Sequence, residues 1–450
     1  PVKVGETRAM KIDGLGHAGE GVGRVEGFTV FVANAIPGDE VLVRIEEVRK
    51  NYGRASLVEV IRASSGRILP ICLDSGDCGG CQLRAMEYSA QLGWKRQAVI
   101  DALIRIGKFA SPQVKPVIGM ESPECYRNKV HYPAALIDRK LDLGFYRRGS
   151  HDLVPIRNCS SVHPLCNKAL QVLRQLLSKY KLCPYDVSTG QGLIRHVICR
   201  VSTARHKLMV ILVTNGATIP GVEGLLQDIQ LKLPELVTVA QNINRRRTNV
   251  VLGEETKVIW GEPHLIEELN GLKFVISPNS FFQVNSQQAA VLGRLVVEYT
   301  KVHDGMRALD CYSGTGSLAL HLARAGACVI GIEEVTDAVR DAKVNAHLNG
   351  LDTADFRTGR VEAALPGILR EGPVDAAVLD PPRKGCEYEV LKAIADANIP
   401  RLVYVSCNPS SLARDLAILR QQGYALQEVQ PVDMFPHTSH VETVVLMSRL

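Results

Sequence analysis

The sequence predicts an α/β protein with a doubly wound C-terminal domain, a central α+β domain that carries a cysteine cluster, and a small N-terminal β-barrel. Short apolar runs separated by Gly, Pro and Asp fill residues 1–60, as expected of a small all-β module. Strand and helix patterns alternate from Phe274 onward, which is typical of a mainly parallel sheet with helices on both faces. A chain of 450 residues has room for three such domains.

The first domain is expected over residues 1–60. Its apolar runs read FTVFVANAI, EVLVRIEEV and RASLVEVI, and GLGHAGEGVGRVEG and IPGDE separate the strands. Five short strands with this spacing would suit a small barrel of the oligonucleotide-binding (OB) type.

The central domain is expected over residues 61–270. A turn-rich and cysteine-rich stretch is followed by a helical pattern over about 86–108, and this helix could pack on the C-terminal domain. Beyond residue 125, the runs KVHYPAALID, HVICRVST and KLMVILVTN predict strands and LCNKALQVLRQLLSKY predicts an amphipathic helix. These elements indicate a mixed sheet.

The C-terminal domain is expected over residues 271–450 and is Rossmann-like. Helix patterns cover residues 286–299, 317–325 and 337–348, and strand patterns cover residues 307–310, 328–333, 376–380 and 402–406. The tail HVETVVLMSRL predicts a final strand.

The composition excludes several classes of protein. With 46% hydrophobic and 22% charged residues, the chain is neither disordered nor of low complexity. Its apolar runs are shorter than the roughly 20 residues that span a bilayer, and its first residues lack the apolar core of a secretory signal. We therefore expect a cytoplasmic protein without membrane contact.

The charge is unevenly distributed along the chain. Residues 61–270 have a net charge of +10, whereas residues 271–450 have a net charge of −3. A basic domain beside an acidic one is expected when the first holds a polyanion and the second carries the chemistry. An ordinary solvated surface is the alternative.

A glycine-rich turn in ALDCYSGTGSLAL follows a predicted strand and precedes a predicted helix. Gly314 and Gly316 would let the backbone pass close to a ligand, and Glu333 at the end of the next strand could accept two ribose hydroxyls. The dinucleotide pattern needs a third glycine that this turn lacks. The turn therefore predicts a site for a nucleoside-type cofactor, with an unliganded tight turn as the alternative.

Three polar residues lie at predicted strand ends near this site. Cys407 ends LVYVSCNPSSL just before a helix, whose dipole would favour the thiolate. Asp380 precedes two prolines that enforce an extended exit, and Glu442 begins an apolar strand. The alternatives are a buried structural cysteine and a surface glutamate.

Cys72, Cys78 and Cys81 lie within ten positions in LPICLDSGDCGGCQL. Three thiols so close in a cytoplasmic protein predict metal ligands, and a fourth ligand must come from elsewhere. From the spacing alone, Cys125, Cys159 and Cys166 are candidates for that fourth ligand. An iron–sulfur cluster and a tetrahedral zinc ion are both open on the same grounds.

Six motifs together resemble the RNA uracil-5-methyltransferases: SFFQVN (280–285), LDCYSGTG (309–316), GIE (331–333), LDPPRKG (379–385), VSCNP (405–409) and HVETVVLM (440–447). The N-terminal module is similar to the TRAM domain of that family, an OB-like RNA-binding fold. CGGCQL and the overall length are most similar to the bacterial enzymes that act on 23S ribosomal RNA, since the transfer-RNA branch generally lacks both the TRAM domain and the cysteines.

The resemblance implies a role for each motif. Cys407 would be the nucleophile and Glu442 the general base, and S-adenosylmethionine would be bound by Gln283, Tyr312, Glu333 and Asp380. VPIRNC would supply Cys159 as the fourth ligand of a 4Fe–4S cluster, which the family favours over zinc. Cysteine addition at C6 of uracil makes C5 nucleophilic, and a base must later remove the C5 proton.

The resemblance also implies 23S ribosomal RNA as the partner and a monomer without an obligate protein partner. Arg127 and Lys129 resemble basic positions of the family that face RNA. The run 245–247 could contact phosphates, given the basic middle of the chain, or be a solvated turn. Phe281 or Phe282 could stack on a base, or both could lie in the core. Transfer RNA is the alternative substrate. A non-catalytic RNA-binding or ribosome assembly factor is the alternative function. A radical enzyme is disfavoured because it would show C-x3-C-x2-C spacing.

Overall fold

The computed structural model describes residues 2–449 and confirms the predicted α/β fold class. The N-terminal strands close into a five-stranded barrel with the order β1-β2-β3-β5-β4. Val41, Val43 and Ile45 alternate into its interior and are almost fully buried. The strands are β1 (Thr7–Leu15), β2 (Gly21–Val25), β3 (Phe28–Val32), β4 (Glu40–Val48) and β5 (Tyr52–Arg62).

The central domain is a seven-stranded mixed sheet with the order β12-β11-β10-β9-β6-β7-β8. Only β10 and β11 pair in parallel, because a helix connects them. The strands are β6 (Lys129–Ile137), β7 (Lys140–Tyr146), β8 (Leu153–Pro155), β9 (Ile194–Ser202), β10 (Lys207–Thr214), β11 (Leu236–Ile243) and β12 (Glu255–Gly261). The helices α2 (Pro164–Lys179) and α3 (Val222–Lys232) pack on one face of this sheet.

A β-hairpin joins the central and C-terminal domains. Its strands β13 (Leu265–Leu269) and β14 (Leu272–Ile276) pair only with each other within the described residues. Phe274 packs in the same core as Ile198 and Ile211 of the central sheet, so the hairpin lies between the two sheets. The division expected between residues 270 and 271 falls inside the turn of this hairpin.

The C-terminal domain is a seven-stranded sheet with the order β17-β16-β15-β18-β19-β21-β20, in which β21 runs antiparallel to both of its neighbours. The strands are β15 (Arg307–Cys311), β16 (Cys328–Glu333), β17 (Ala354–Thr358), β18 (Ala376–Leu379), β19 (Arg401–Ser406), β20 (Tyr424–Val432) and β21 (Glu442–Arg449). The helices are α4 (Ser286–Thr300), α5 (Ser317–Arg324), α6 (Thr336–Leu348), α7 (Val361–Arg370), α8 (Tyr388–Asp396) and α9 (Pro409–Gln421). The strand order reverses at β15, where open α/β sheets bind ligands.

The segment after the barrel packs on the C-terminal domain. Helix α1 (Tyr88–Arg105) is shorter than the expected 86–108, and it buries Val99 and Leu103 in the core beneath α9. Beyond α1, Lys115 and Ile118 donate backbone hydrogen bonds to β20, which covers the edge of the sheet. No helix among residues 2–449 has the length and apolar character needed to cross a membrane.

Candidate active site and cysteine site

One edge of the C-terminal sheet gathers most of the predicted site residues. Tyr312 follows β15, Glu333 ends β16, Asp380 follows β18 and Cys407 follows β19. These four strands are parallel neighbours, so their carboxyl ends meet in one crevice. The backbone N–H of Asp380 donates to the carbonyl of Cys311 at 3.3 Å, which ties two of the strand ends together.

Cys407 and Glu442 lie on adjacent strands that run in opposite directions. Ser406, the last residue of β19, pairs with Thr443 of β21. One further step along each strand brings Cys407 opposite Glu442. Glu442 is 3% exposed and Cys407 is half-buried, so the thiol is the more accessible of the two groups.

The carboxyl groups of Asp380 and Glu442 lie near each other in the crevice, and both are largely removed from solvent. Burial raises the pKa of Asp380 to about 7. Burial, together with the nearby Asp380 charge, raises the pKa of Glu442 well above its usual range. A carboxyl group with a raised pKa is a stronger base once it is deprotonated, so Glu442 has the environment of a proton acceptor.

The surroundings of Cys407 do not favour the thiolate overall. The thiol precedes Asn408, whose side chain caps α9, so the predicted position beside a helix N-terminus is correct. Burial raises the pKa of Cys407, and the charges of Glu442 and Asp380 raise it further. Burial and the two carboxylates therefore oppose the thiolate that the helix N-terminus would favour, and a stabilised thiolate at Cys407 stays a prediction.

Arg383 is the cation of this crevice, and the sequence analysis did not single it out. Its charge lowers the pKa of both Cys407 and Glu442, which opposes the effect of burial. The loop that carries Arg383 is fixed to α9, because Asn408 and Ser411 donate to the Arg383 carbonyl at 2.9 and 3.0 Å. A cation two residues after Asp380-Pro was the signal that could have identified it.

The glycine-rich turn is tied to Glu333. The two carboxylate oxygens of Glu333 accept the N–H of Gly314 at 3.0 Å and of Val335 at 2.8 Å. Gly314 has φ +54° and its missing side chain would point into open space, which leaves room for a ligand. Gly316 is required for a different reason, because a Cβ there would lie 2.8 Å from the ring of Phe356.

Asp310 is a second residue that the sequence analysis missed. It lies inside β15 and is 1% exposed, and its Oδ2 accepts the N–H of Ala319 at 2.8 Å. Its Oδ1 has no hydrogen-bond partner among the described residues. An acidic residue within an apolar strand was the signal for it. Burial and the nearby Asp380 charge raise the pKa of Asp310 well above its usual range, and its unpaired oxygen could accept a hydrogen bond from a ligand.

Tyr312 and Gln283 differ in how they reach the crevice. Tyr312 has φ +70°, and its ring packs into the core that contains Cys386. Gln283 lies in the segment before α4, where its carbonyl accepts from Asn128 of the central domain at 3.1 Å. Two residues later, Asn285 donates to the carbonyl of Met434 at 3.1 Å.

The two phenylalanines of SFFQVN have different environments. Phe282 is buried and packs against Phe274 with ring centroids 5.7 Å apart. Phe281 is 65% exposed. Of the two rings that could stack on a base, only Phe281 is accessible.

The four predicted cysteine ligands line one cavity of about 650 Å³. Burial raises the pKa of Cys78 to about 11 and that of Cys159 to about 12, and the other thiols of the group add to both shifts. The donor chemistry, four soft thiols around one space, suits an iron–sulfur cluster or a tetrahedral zinc ion. Within residues 2–449, no three or more His, Cys, Asp or Glu side chains lie close enough together in this structure to hold a metal ion.

The two competing cysteines lie elsewhere. Cys166 is fully buried under the central sheet, where its thiol contacts Cys199. Cys125 is exposed, and neither residue lines the cavity. The geometry therefore favours Cys159 over both alternatives.

Basic side chains gather on β6 and β9 of the central sheet. Lys129 pairs directly with Arg200 across the two strands, and Arg127 and His131 lie beside them. Burial and the Arg200 charge lower the pKa of Lys129 to about 7. Burial also lowers the pKa of His131 to about 3 and that of His196 to about 4, so both imidazoles are neutral at physiological pH. A cross-strand pair of cations suits an anionic ligand.

The arginine run 245–247 lies in an exposed loop between β11 and β12. Arg246 pairs with Glu254, and its carbonyl accepts from Arg195 at 2.8 Å. The loop is therefore anchored at its centre.

Two family models match the chain. Residues 1–58 match the TRAM domain, and residues 254–450 match the model described as tRNA (Uracil-5-)-methyltransferase. An RNA methyltransferase of Caldanaerobacter subterraneus is 44% identical over 450 residues, which cover 100% of this chain and 99% of that protein. An RNA methyltransferase of Clostridium tetani is 40% identical over 100% of this chain and 97% of its own length.

The chain belongs to the RNA uracil-5-methyltransferase family. Its members use S-adenosylmethionine, so the chain is an enzyme of that class, as the motifs predict.

A solved structure of the same family matches the whole chain. The tRNA (uracil-54, C5)-methyltransferase of Pyrococcus abyssi, in complex with S-adenosyl-L-homocysteine, is 27% identical with a TM-score of 0.77. The match covers 98% of this chain and 100% of that one, so it includes the N-terminal barrel. Chain length and the presence of the barrel therefore do not separate ribosomal-RNA from transfer-RNA enzymes, contrary to the expectation from the sequence.

Proposed function

We propose that this methyltransferase forms 5-methyluridine through a covalent bond between Cys407 and C6 of the target uracil. The single observation that carries this proposal is the placement of a half-buried thiol opposite a buried, high-pKa carboxyl group, beside the glycine-rich turn. Uracil C5 is a poor nucleophile, so the reaction needs both groups.

We propose three steps for the methylation of the target uracil. The Cys407 thiolate adds to C6, and the electrons of the C5–C6 double bond move to form an enolate. C5 of the enolate would then attack the methyl group of S-adenosylmethionine, so that the methyl–sulfur bond breaks, its electrons stay on the sulfur and S-adenosyl-L-homocysteine is the leaving group. The Glu442 carboxylate removes the proton from C5, and the C5–H electrons restore the double bond and expel the thiolate. Arg383 lowers the cost of both negative charges.

The cofactor would be held by Gln283, Tyr312, Glu333 and Asp380. Glu333 supports this role because each oxygen already fixes a backbone N–H of the turn and keeps a second lone pair for a ribose hydroxyl. Asp310, with its unpaired oxygen, is added to this set. The Tyr312 ring points into the core, so its contribution would come from its backbone.

Methyl transfer by variants of two cysteines in the same domain tests the nucleophile. Cys407→Ala should abolish 5-methyluridine formation while S-adenosylmethionine binding persists. Cys328→Ala, which changes an exposed thiol of the same domain, is the matched control and should retain activity. Activity of the Cys407→Ala variant within about a hundredfold of the wild type, far above the loss expected when a covalent nucleophile is removed, would disprove the role of Cys407.

For the target we propose a uridine of 23S ribosomal RNA, because the cysteine loop with CGGCQL is most similar to that of the enzymes that act on 23S ribosomal RNA. Transfer RNA is the second candidate, since the Pyrococcus abyssi tRNA enzyme aligns over the full length. Purified enzyme should be incubated with unmodified 23S ribosomal RNA and with an unmodified tRNA pool, and 5-methyluridine should be mapped in each. Methylation of tRNA alone would reverse the assignment.

We further propose that Cys72, Cys78, Cys81 and Cys159 bind a 4Fe–4S cluster. When bound, such a cluster would crosslink the loop to the central sheet, since methyl transfer itself moves no electrons. Anaerobically purified protein should be brown and contain about four irons per chain. Cys159→Ser should lose the iron and Cys125→Ser should retain it. About one zinc per chain without iron would overturn the assignment.

A further inference from the structure

The turn between β20 and β21, residues 433–441, is held by residues far away in the sequence. Four successive carbonyls of this turn accept hydrogen bonds from outside it. Asn285 donates to Met434 at 3.1 Å, Lys95 to Phe435 at 3.0 Å and Tyr126 to Pro436 at 3.2 Å. The carbonyl of His437 accepts the backbone N–H groups of Gln82 and Leu83. The turn leads directly into Glu442, so its position fixes the position of that carboxyl group.

The first residue of the turn is anchored by a fully buried ion pair. Lys95 of α1 and Asp433 are both 0% exposed, and their charged groups are 2.5 Å apart. Tyr88 of α1 also donates to Asp433 at 2.8 Å. Helix α1 therefore fixes the start of the turn, although more than 300 residues separate them in the sequence.

His437 is the most constrained residue of the turn. It is 5% exposed and has φ +66°, a left-handed backbone conformation that is uncommon outside glycine but in which histidine is one of the enriched residue types. Its N–H donates to Gln91 Oε1 at 3.0 Å, and Gln91 Nε2 lies 3.2 Å from its Nδ1. Its Nε2 lies 3.0 Å from Glu124. Contacts with Gln91 and Glu124 therefore hold both the backbone and the imidazole of His437 in place.

The carbonyl of His437 connects the turn to the cysteine loop. It accepts the N–H groups of Gln82 at 3.0 Å and Leu83 at 2.9 Å, the two residues that follow Cys81. Ser439 donates to the side chain of Gln82 at 3.3 Å. The loop with the cysteines and the turn that carries Glu442 thus form one hydrogen-bonded unit.

We infer that His437 is a positioning residue for Glu442, and that it holds the base-bearing turn against the cysteine loop. This inference rests on the proposed roles of Cys407 and Glu442. Cys407 is carried by β19 and does not depend on the turn, whereas Glu442 is the first residue after it. A loosened turn should therefore slow removal of the C5 proton and leave addition and methylation intact.

A displaced Glu442 should stop the reaction after methylation and before the RNA is released from Cys407. If the carboxylate is displaced, the C5–H bond stays unbroken, the double bond cannot re-form and the thiolate cannot leave. The methylated RNA then stays bonded to Cys407. A general loss of stability would lower the rates of all steps together, and the adduct would not accumulate.

Two variants disturb the turn from different sides. His437→Val places a β-branched residue at a positive φ and removes the imidazole contacts. Gln91→Leu removes both hydrogen bonds to His437 from α1, outside the C-terminal domain. Asn398→Val is the matched control, because Asn398 also has a positive φ (+53°) but lies in an exposed turn after α8. Glu442→Gln is the reference for a missing base.

The variants should be incubated with substrate RNA and methyl-labelled S-adenosylmethionine, and the adduct quantified on a denaturing gel. Gln91→Leu and His437→Val should lower kcat and raise the adduct fraction by about tenfold or more, part of the contribution of a positioned base. KM for both substrates should stay within about twofold of the wild type. Asn398→Val should lower the melting temperature without raising the adduct fraction.

The outcomes separate the inference from the proposed function. If Glu442→Gln accumulates adduct and both turn variants behave like Asn398→Val, His437 does not position the base and the inference is wrong. If His437→Val fails to fold, Gln91→Leu alone decides between these results. If Glu442→Gln forms no adduct, the proposed roles fail and the inference fails with them.

Discussion

The thiol of Cys407 and the carboxyl group of Glu442 share one cation, Arg383. Burial and the Asp380 charge raise the pKa of both groups, Glu442 raises that of Cys407 further, and Arg383 is the charge that lowers both. Both groups must lose a proton before they can act as proposed. The rate should therefore rise with pH, and Arg383 should set the pH at which it rises.

Arg383→Gln should move the acid limb of the profile of kcat/KM against pH upward by about one pH unit, since it removes the one opposing charge. Lys384→Gln is the control, because Lys384 is exposed and pairs with Glu387 at 2.5 Å. An unchanged midpoint in Arg383→Gln, with the control behaving like the wild type, would show that Arg383 does not tune these groups.

Glu442→Gln should stabilise the protein at neutral pH while it abolishes turnover. The pKa of Glu442 is raised in the folded state, so the unfolded state binds fewer protons above the ordinary glutamate pKa and stability falls as pH rises. Removing the ionisable group should add about 1 kcal/mol, roughly 2–4 °C in melting temperature for a domain of this size. The gain should vanish below about pH 4.5, where the unfolded carboxyl is also protonated. A lower melting temperature at pH 8 would contradict this.

Cys407, Glu442 and Glu333 could be predicted from the sequence because each lies at the end or start of an apolar strand. Arg383 and Asp310 could not, since the first depends on how a proline-containing loop folds back and the second on which oxygen stays unpaired. The raised pKa of Cys407 also depends on burial, which a helix N-terminus in the sequence does not reveal.

Strands β6 and β9 carry the basic pair of Lys129, which is half-buried, and Arg200, which is buried. Lys129 has a pKa of about 7, so it exchanges a proton near neutral pH. Binding of a phosphate would favour its charged form. His131 and His196 stay neutral over the same range and do not contribute to this change.

RNA binding by the wild type should weaken by about threefold as pH rises from 6 to 8.5, the size of one lost phosphate contact. Lys129→Arg should bind with little pH dependence, because arginine stays charged throughout. Both affinities can be measured by filter binding at constant salt. A wild-type affinity that does not change with pH would show that Lys129 does not touch RNA.

The elements were predictable where their periodicity is strong. The alternation from Phe274 onward predicts β15, β16 and β18 within one or two residues, whereas β17, α7 and α8 carry weaker patterns and were not identified. The hairpin of β13 and β14 crosses the expected domain boundary at its turn residues, Asn270 and Gly271. Asn285 lies 149 residues from its partner in the turn 433–441 and the contacts from α1 span more than 300 residues, and no local pattern encodes such contacts.

At the scale of the whole molecule, the basic residues lie outside the domain that carries the chemistry. Residues 61–270 carry a net charge of +10 against −3 for residues 271–450. RNA affinity should therefore come mainly from the central domain, and the C-terminal domain should contribute the choice of the reacting base.

Neutralising Arg245, Arg246 and Arg247 together should weaken RNA binding and flatten its salt dependence by up to about two units of slope. The limit is two rather than three because Arg246 already pairs with Glu254. S-adenosylmethionine affinity should not change, since its expected site lies in the other domain. Unaltered RNA affinity and slope would mean that the run is only a solvated loop.

The proposed covalent intermediate on Cys407 can be trapped when Glu442, the base that would resolve it, is removed. Glu442→Gln should be incubated with substrate RNA and S-adenosylmethionine, digested with nuclease and protease, and analysed by mass spectrometry. We expect a peptide containing Cys407 that carries a methylated uridine nucleotide, and no such peptide from Cys407→Ala. Free protein after complete methylation, or an adduct on another residue, would contradict this expectation.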